Sequence, residues 1–236
     1  MKIALAQINP IVGDLDGNSK KIISLIRKTK SDVIVFPELS IIGYSPQDLL
    51  LKHTLIDENM DALKEIAENT KNKIAIVGFA EKINGHLHNS AAVIKDRQII
   101  AIHRKEKLPN YAIFDEKRWF CAGNHATTFE IGKKRIGVNI CEDIWHEDSS
   151  RKLKNKGAEL IINISASPYR KGKFEKIEGI LRQRWNENRI PIIYVNQVGS
   201  QDGIVYYGRS MYFKDGKVIK KCRDFEEEIL IVDVQK

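Results

Sequence analysis

The sequence predicts an α/β protein in which two β-sheets pack together, with helices on both outer faces. Strand-like and helical stretches alternate near the start of the chain and again beyond residue 135. Between them, three strand-like stretches within residues 73–103 follow one another without helices, which favours antiparallel pairing. The run at 32–36 is continuously apolar rather than alternating, as expected of a strand covered on both faces. At 236 residues the chain is long enough for one large domain with a sizeable core, and 1–236 reads as a single domain.

Taken in order, residues 2–8 alternate and form a first strand that Asn9-Pro10 ends. Residues 13–18 read as a loop. Residues 19–30 carry Ile22, Ile23, Leu25 and Ile26 on one face and basic residues on the other, which predicts an amphipathic helix with Asn18 as its N-cap. Residues 32–36 form a short, buried strand ending at Pro37-Glu38. A second helix spans about 55–70. Strands follow at 73–80, at 88–95 after a turn at Gly85, and at 99–103. Residues 104–111 are a charged stretch, and 114–120 a loop of mixed aromatic and charged residues. A strand at 135–140 stops at Cys141. Beyond it come a helix (147–157), a buried strand (158–164), a long helix (173–189) and a strand (191–196). Residues 210–234 read as closing strands broken at Lys214-Asp215-Gly216 and Asp224-Phe225-Glu226.

Composition excludes several classes. No apolar run approaches the roughly 18 residues a membrane span needs. The opening residues are interrupted by Asn9-Pro10 too early for a signal peptide. The three cysteines, Cys121, Cys141 and Cys222, are odd in number, far apart and without a Cys-x-x-Cys pair. That argues for a reducing cytoplasm and against a disulfide framework or a zinc ribbon. The net charge of +8 is spread along helix faces and turns, often beside acids, as in Lys64-Glu65. Without a basic run interleaved with aromatics, nucleic-acid binding is not expected.

Three predicted strand ends carry reactive groups: Glu38, Lys105 and Cys141. Ligand sites in α/β sheets gather at the carboxyl ends of strands, so these three can converge. Cys141 precedes two acids, Glu142 and Asp143. A core cysteine seldom has such neighbours, because burying a carboxylate costs several kcal/mol unless it is paired. An ordinary thiol and an ordinary carboxylate differ by about 4.2 pKa units, roughly 5.7 kcal/mol for complete proton transfer at rest. Burial of the carboxylate and a neighbouring ammonium both narrow that gap. In such a unit Glu38 takes the thiol proton, Cys141 attacks a carbonyl carbon, and Lys105 with the backbone N–H of Glu142 stabilises the oxyanion.

The residues around these positions resemble a known family. Phe36-Pro37-Glu38-Leu39, His103-Arg104-Lys105 with Leu108, and Ile140-Cys141-Glu142-Asp143-Ile144-Trp145 are similar to the signatures of the carbon–nitrogen hydrolase (nitrilase) superfamily. Within it the chain resembles the glutaminase domain of glutamine-dependent NAD synthetase. That likeness rests on residues 38–44, Leu108-Pro109-Asn110-Tyr111, 114–118, 141–145, Ala166-Ser167-Pro168-Tyr169 with Gly172-Lys173, and 195–199. The resemblance implies a nitrilase-like four-layer α-β-β-α sandwich. It implies catalysis by Glu38, Lys105 and Cys141, with Glu116 as a second glutamate. It places Tyr44, Tyr111, Glu142, Ser167 and Lys173 around a small amide substrate, glutamine. There Glu142 suits an α-ammonium, Tyr44 and Tyr111 wall the side chain, and Lys173 reaches a carboxylate. It also implies at least a homodimer. Tyr207-Gly208-Arg209-Ser210-Met211 departs from the smaller, glycine-rich sequence expected there.

The chain lacks both a Ser-Gly-Gly-x-Asp-Ser pyrophosphate loop and a Walker P-loop, so no nucleotide, metal or other cofactor is expected. Ammonia is therefore expected to pass to an NAD synthetase subunit or to another part of a longer protein; alternatively the chain acts alone as an amidase on another small amide. Other readings are weaker. A Cys-His hydrolase or a metal site would have to use His146, five residues from Cys141 and without further ligands at recognisable spacing. A non-catalytic binding or scaffold protein would not need Glu38, Lys105 and Cys141 all present.

Overall fold

Strand side chains alternate between two faces, and most strands of this chain are apolar on both. The computed structural model, which describes residues 1–234, shows where each face goes. One six-stranded sheet has the order β14-β1-β2-β3-β4-β5. Its strands are β1 (Lys2–Gln7), β2 (Val33–Val35), β3 (Ile74–Ile83), β4 (His86–Lys95), β5 (Gln98–Arg104) and β14 (Glu228–Asp233). The other six-stranded sheet has the order β13-β12-β9-β8-β7-β6. It is built from β6 (Thr127–Ile131), β7 (Lys134–Ile140), β8 (Leu160–Ser165), β9 (Ile192–Asn196), β12 (Met211–Lys214) and β13 (Lys217–Lys221). A separate hairpin joins β10 (Val198–Gln201) to β11 (Ile204–Tyr207).

The core is layered accordingly. Ile3, Leu5, Val33, Val35 and Ile76 on one face of the first sheet meet Ile136, Val138, Ile162, Ile164 and Val195 of the second. The opposite face of the first sheet, through Ala4, Ala6, Ile34, Phe36 and Val77, receives helices α1 (Leu15–Lys28) and α2 (His53–Glu68). The outer face of the second sheet, through Ile161, Ile192 and Tyr194, receives α4 (Glu147–Asn155) and α5 (Lys173–Asn188), whose Leu153, Ile177, Leu181 and Trp185 fill it. This is the expected α-β-β-α sandwich. β1, β2 and β3 run parallel, as do β7, β8 and β9. The three consecutive strands β3, β4 and β5 pair antiparallel, as their unbroken succession predicts.

Several local expectations need correction. Helix α1 starts at Leu15, and Asp14 caps it, its Oδ1 accepting from the Gly17 N–H at 2.9 Å. Asn18 lies inside the helix and is buried; its amide bonds Ile11 N and O and donates to Ile41 O at 2.8 Å. A long-range use of the amide thus replaces the cap. Residues 114–120 contain one helical turn, α3 (Glu116–Trp119), rather than only loop. A 3-10 turn over Gln47–Leu51, strand β6 and the β10–β11 hairpin are too short or too polar to stand out as periodic elements.

Two glycines let backbone approach the strand ends that matter. A Cβ on Gly78 of β3 would overlap the Leu39 nitrogen and Pro37 carbonyl oxygen on either side of Glu38. A Cβ on Gly123 would overlap the Arg104 carbonyl oxygen beside Lys105. Gly78→Ala is therefore expected to lower the unfolding free energy by about 2–3 kcal/mol in a denaturant titration. Gly179→Ala, at an exposed α5 position with nothing near its Cβ, should raise it by roughly 0.5–1 kcal/mol.

Candidate active site

Three strand exits meet. Glu38 follows β2, Lys105 follows β5 directly, and Cys141 follows β7 directly. Lys105 is 1% exposed and Glu38 is fully buried. Lys105 Nζ donates to Glu38 Oε1 at 2.7 Å and to Glu116 Oε1 at 2.7 Å. Glu38 Oε1 also accepts from Asn89 Nδ2 at 2.7 Å, and its Oε2 from the Ala166 N–H at 2.9 Å. Glu116 Oε1 accepts the Tyr44 hydroxyl at 2.7 Å. Glu116 Oε2 is buried with no hydrogen-bond partner among the described residues.

One ammonium between two buried carboxylates leaves a net negative charge in a low-dielectric site, and one carboxylate is held less readily ionised. Burial pushes Glu116 up from 4.5 to about 7, against the pull of Lys105 and with the repulsion of Glu38. Its unpartnered oxygen is better accommodated in the protonated form. Burial disfavours the Lys105 ammonium, but Glu116 and Glu38 overcome this and hold its pKa well above the ordinary value. Burial likewise raises Tyr44, and the two glutamates add to it.

Cys141 is 6% exposed, sits at φ 43°, and opens a 3-10 turn over Cys141–Trp145. Burial raises its thiol pKa well above the usual range; Glu38 adds to this, and Lys105 opposes it. The resting group is a neutral thiol. The two acids after it part ways. Asp143 is fully buried and supports the turn: Oδ2 lies 3.0 Å from His103 Nε2 and accepts the Ile140 N–H at 2.9 Å. Its Oδ1 accepts the N–H groups of Glu106 at 3.0 Å and Lys107 at 2.8 Å. Glu142 is mostly buried and its Oε2 accepts the Tyr111 hydroxyl at 2.9 Å. Burial and that bond raise the Tyr111 pKa.

Beside Glu142 opens a cavity of about 440 Å³ lined by Tyr111, Phe114, Glu142, Trp145, Pro168, Arg170, Lys171, Gly172, Lys173 and Lys176. Lys173 Nζ lies 4.5 Å from the Trp145 ring centroid, and burial lowers its pKa. So Tyr111, Glu142 and Lys173 share one cavity. Tyr44 stands apart from this lining, on the Glu116 carboxylate. Ser167 is buried with its backbone against Asn196, whose Oδ1 accepts the Ser167 N–H at 2.7 Å. His146 is exposed, its Nε2 3.6 Å from Glu142 Oε1. No group of three or more His, Cys, Asp or Glu among the described residues could hold a metal ion.

Sequence reasoning missed Asn89, His103 and the Ala166 N–H as partners of the site. It did demand partners for the acids after Cys141, which Asp143 and Glu142 have.

With this geometry in place, comparison with known proteins assigns the class. The carbon–nitrogen hydrolase family model matches residues 2–236, and the chain belongs to this family. It is 40% identical to glutamine-dependent NAD(+) synthetase of Thermotoga maritima over 99% of this chain and 42% of that protein. Identity to the Aquifex aeolicus enzyme of that name is also 40%, over 98% of this chain and 42% of the relative. The structure of glutamine-dependent NAD+ synthetase from Acinetobacter baumannii superposes with a TM-score of 0.94 at 36% identity, covering 98% of this chain and 44% of that one. An amidase from Nesterenkonia matches at 22% identity with a TM-score of 0.87, covering 99% of this chain and 90% of its own, and shows the fold alone. The chain thus spans less than half the length of the synthetases it matches.

The raised Glu116 pKa generates a stability prediction. Above pH 4.5 the unfolded carboxyl loses its proton while the folded one keeps it up to about 7, so this group makes wild type progressively less stable across that window. Glu116→Gln removes the ionisation. Its stability relative to wild type should rise by up to about 1.4 kcal/mol per pH unit between pH 5 and 7 and level off above, in urea titrations at each pH.

Proposed function

We propose that this chain is a single-domain glutaminase, hydrolysing the side-chain amide of glutamine through a cysteine thioester. The observation that carries the reading is the buried Glu38–Lys105–Glu116 bridge, whose charges act on the Cys141 thiol. Because burial keeps that thiol neutral, proton loss accompanies attack rather than preceding it. Glu38 takes the thiol proton as Sγ bonds to the amide carbon. The oxygen becomes an oxyanion facing the Lys105 ammonium and the Glu142 N–H. The nitrogen leaves as ammonia with the proton Glu38 received. Glu38 then activates water, which cleaves the thioester to release glutamate and regenerate the thiol. Glu116 and Tyr44 hold Lys105 in place.

The cavity supports an amide that carries both charges of an amino acid. Glu142 suits an α-ammonium. Arg170, Lys171, Lys173 and Lys176 make the wall cationic and favour a carboxylate, with Tyr111 along the side chain. A neutral small amide would leave these charges unused. We place Tyr44 and Ser167 behind the cavity wall, as supports. The relatives' name couples glutamine to NAD(+) synthesis, so the ammonia is proposed to serve a synthetase partner or another part of a longer protein. Among the described residues no helix is long and apolar enough to cross a membrane. A cytoplasmic homodimer is the setting proposed.

Ammonia release from glutamine, with Cys141→Ala as the blank, tests the reading. Wild type should release ammonia. The Cys141→Ala variant should fall below about one per cent of that rate with its thermal unfolding unchanged; greater residual turnover would remove the thioester mechanism. Lys105→Arg keeps the charge but changes the donor geometry, and kcat should fall on the order of 100-fold or more. A wild-type rate in that variant would leave Lys105 only a structural cation.

A further inference from the structure

Six of the ten residues lining the cavity come from residues 168–176, between β8 and the first turn of α5. Much of this wall is itself exposed: Tyr169, Arg170, Lys171 and Gly172 all face solvent. Its backbone is fixed at one end, where Pro168 bridges Tyr206 and the Tyr169 N–H donates to Val205 O at 2.7 Å, and at the other, where the Lys173 N–H donates to Arg170 O at 2.9 Å as α5 begins. Between these ends the side-chain contacts are aromatic. Phe174 lies 5.8 Å from the Tyr169 ring and 5.1 Å from the Tyr207 ring.

Two residues from the far side close this cluster. The Arg209 guanidinium lies over the Phe174 ring, its Cζ 3.9 Å from the centroid. The Phe225 ring meets Tyr169 edge-on at 5.4 Å. Both have left-handed backbone, with φ of 57° for Arg209 and 62° for Phe225. Their neighbours Gly208 and Asp224 form a β-bridge, and Arg209 Nε lies 3.2 Å from Asp224 Oδ1. Glycine would take that backbone conformation without strain, so arginine and phenylalanine there bring side chains to a place that backbone geometry alone would not favour. Arg209 also belongs to the stretch, 207–211, whose sequence departs from the glycine-rich form expected from the resemblance.

We propose that Arg209 and Phe225 are positioning residues that clamp the 168–173 wall and so set affinity for the substrate's carboxylate. This rests on reading the cavity as the amide-binding site. The planar guanidinium stacks on Phe174 while its charge is balanced by Asp224, and Phe225 supports Tyr169 from the other side. Arg209 meets Phe174 and Asp224, and Phe225 meets Tyr169 and the Tyr207 carbonyl; these contacts belong to the wall and not to Glu38, Lys105 or Cys141. The clamp therefore acts on binding rather than on the chemical step.

Arg209→Gly is the informative variant, because glycine takes the left-handed backbone readily while the stacking group and the cation paired with Asp224 are both removed. It should raise KM for glutamine roughly tenfold and leave kcat within about twofold. Thermal unfolding should fall by no more than a few degrees, the share of the lost Asp224 ion pair. Limited trypsin digestion should cut after Arg170 or Lys171 about ten times faster, since the wall is no longer held. Arg209→Lys, which keeps a cation without the planar stack, should recover only part of both effects. An unchanged KM with unchanged cleavage overturns the clamp. So does an equal fall in kcat with a larger drop in unfolding temperature, which would make Arg209 a general structural residue. If wild type releases no ammonia from glutamine, the glutaminase reading fails, and cleavage alone then decides the clamp.

Discussion

The structure depends on a buried ammonium. Lys105 Nζ is taken out of water and compensated by two carboxylates, Glu38 and Glu116, each 2.7 Å away. A lone ammonium buried in this position would be costly, and so would the carboxylates without it. Further donors steady the cluster: Asn89, Tyr44 and the Ala166 N–H reach the carboxylates from β4, the loop after β2 and the end of β8, and of the carboxylate oxygens only Glu116 Oε2 is left without a partner among the described residues. One electrostatic requirement thus fixes the relative position of both sheets at this end of the sandwich. The close approach permitted by Gly78 and Gly123 belongs to the same requirement, since bulkier residues would push Glu38 or Lys105 out of reach.

A second buried carboxylate ties the proposed nucleophile to that frame. Asp143 gathers the N–H groups of Ile140, Glu106 and Lys107 together with the His103 ring. The turn carrying Cys141 and the segment following Lys105 are thereby joined through one side chain. The thiol and the ammonium are held by the same set of hydrogen bonds, which suits groups that have to act within a fraction of an ångström of a shared geometry.

The two halves of the site differ in how they are held. The chemical groups stand at strand ends in the dry interior, where packing and ionic bonds leave little freedom. The cavity wall is an exposed loop running into a helix, steadied by aromatic and cation–aromatic contacts with residues more than thirty positions later in the chain. Chemistry and substrate preference can therefore vary separately, the first constrained by burial and the second by a surface cluster.

How much of this was legible beforehand follows from what each feature depends on. The continuous apolar run at 33–36 announced a strand covered on both faces, because such a strand has nowhere else to bury both sides, and the alternation at 135–140 announced the strand that ends at Cys141. Glu38, Lys105 and Cys141 stood out because polar, reactive groups directly following such runs are costly unless they serve together. The acids after Cys141 likewise required partners. The identity of those partners was not legible. Asn18, which looked like a helix cap, is a buried amide because Ile11 and Ile41 need its bonds, a relation between segments rather than within one. Asn89 and the Ala166 N–H reach Glu38 across 51 and 128 positions of chain. Arg209 and Phe174 meet only because β11 folds back beside the start of α5. Local pattern and the cost of burial determined the elements and the reactive groups from sequence alone. Which of those groups satisfy one another, and how each pKa is shifted, was decided by the tertiary structure, because electrostatics and hydrogen bonding depend on distance in space and not on separation along the chain.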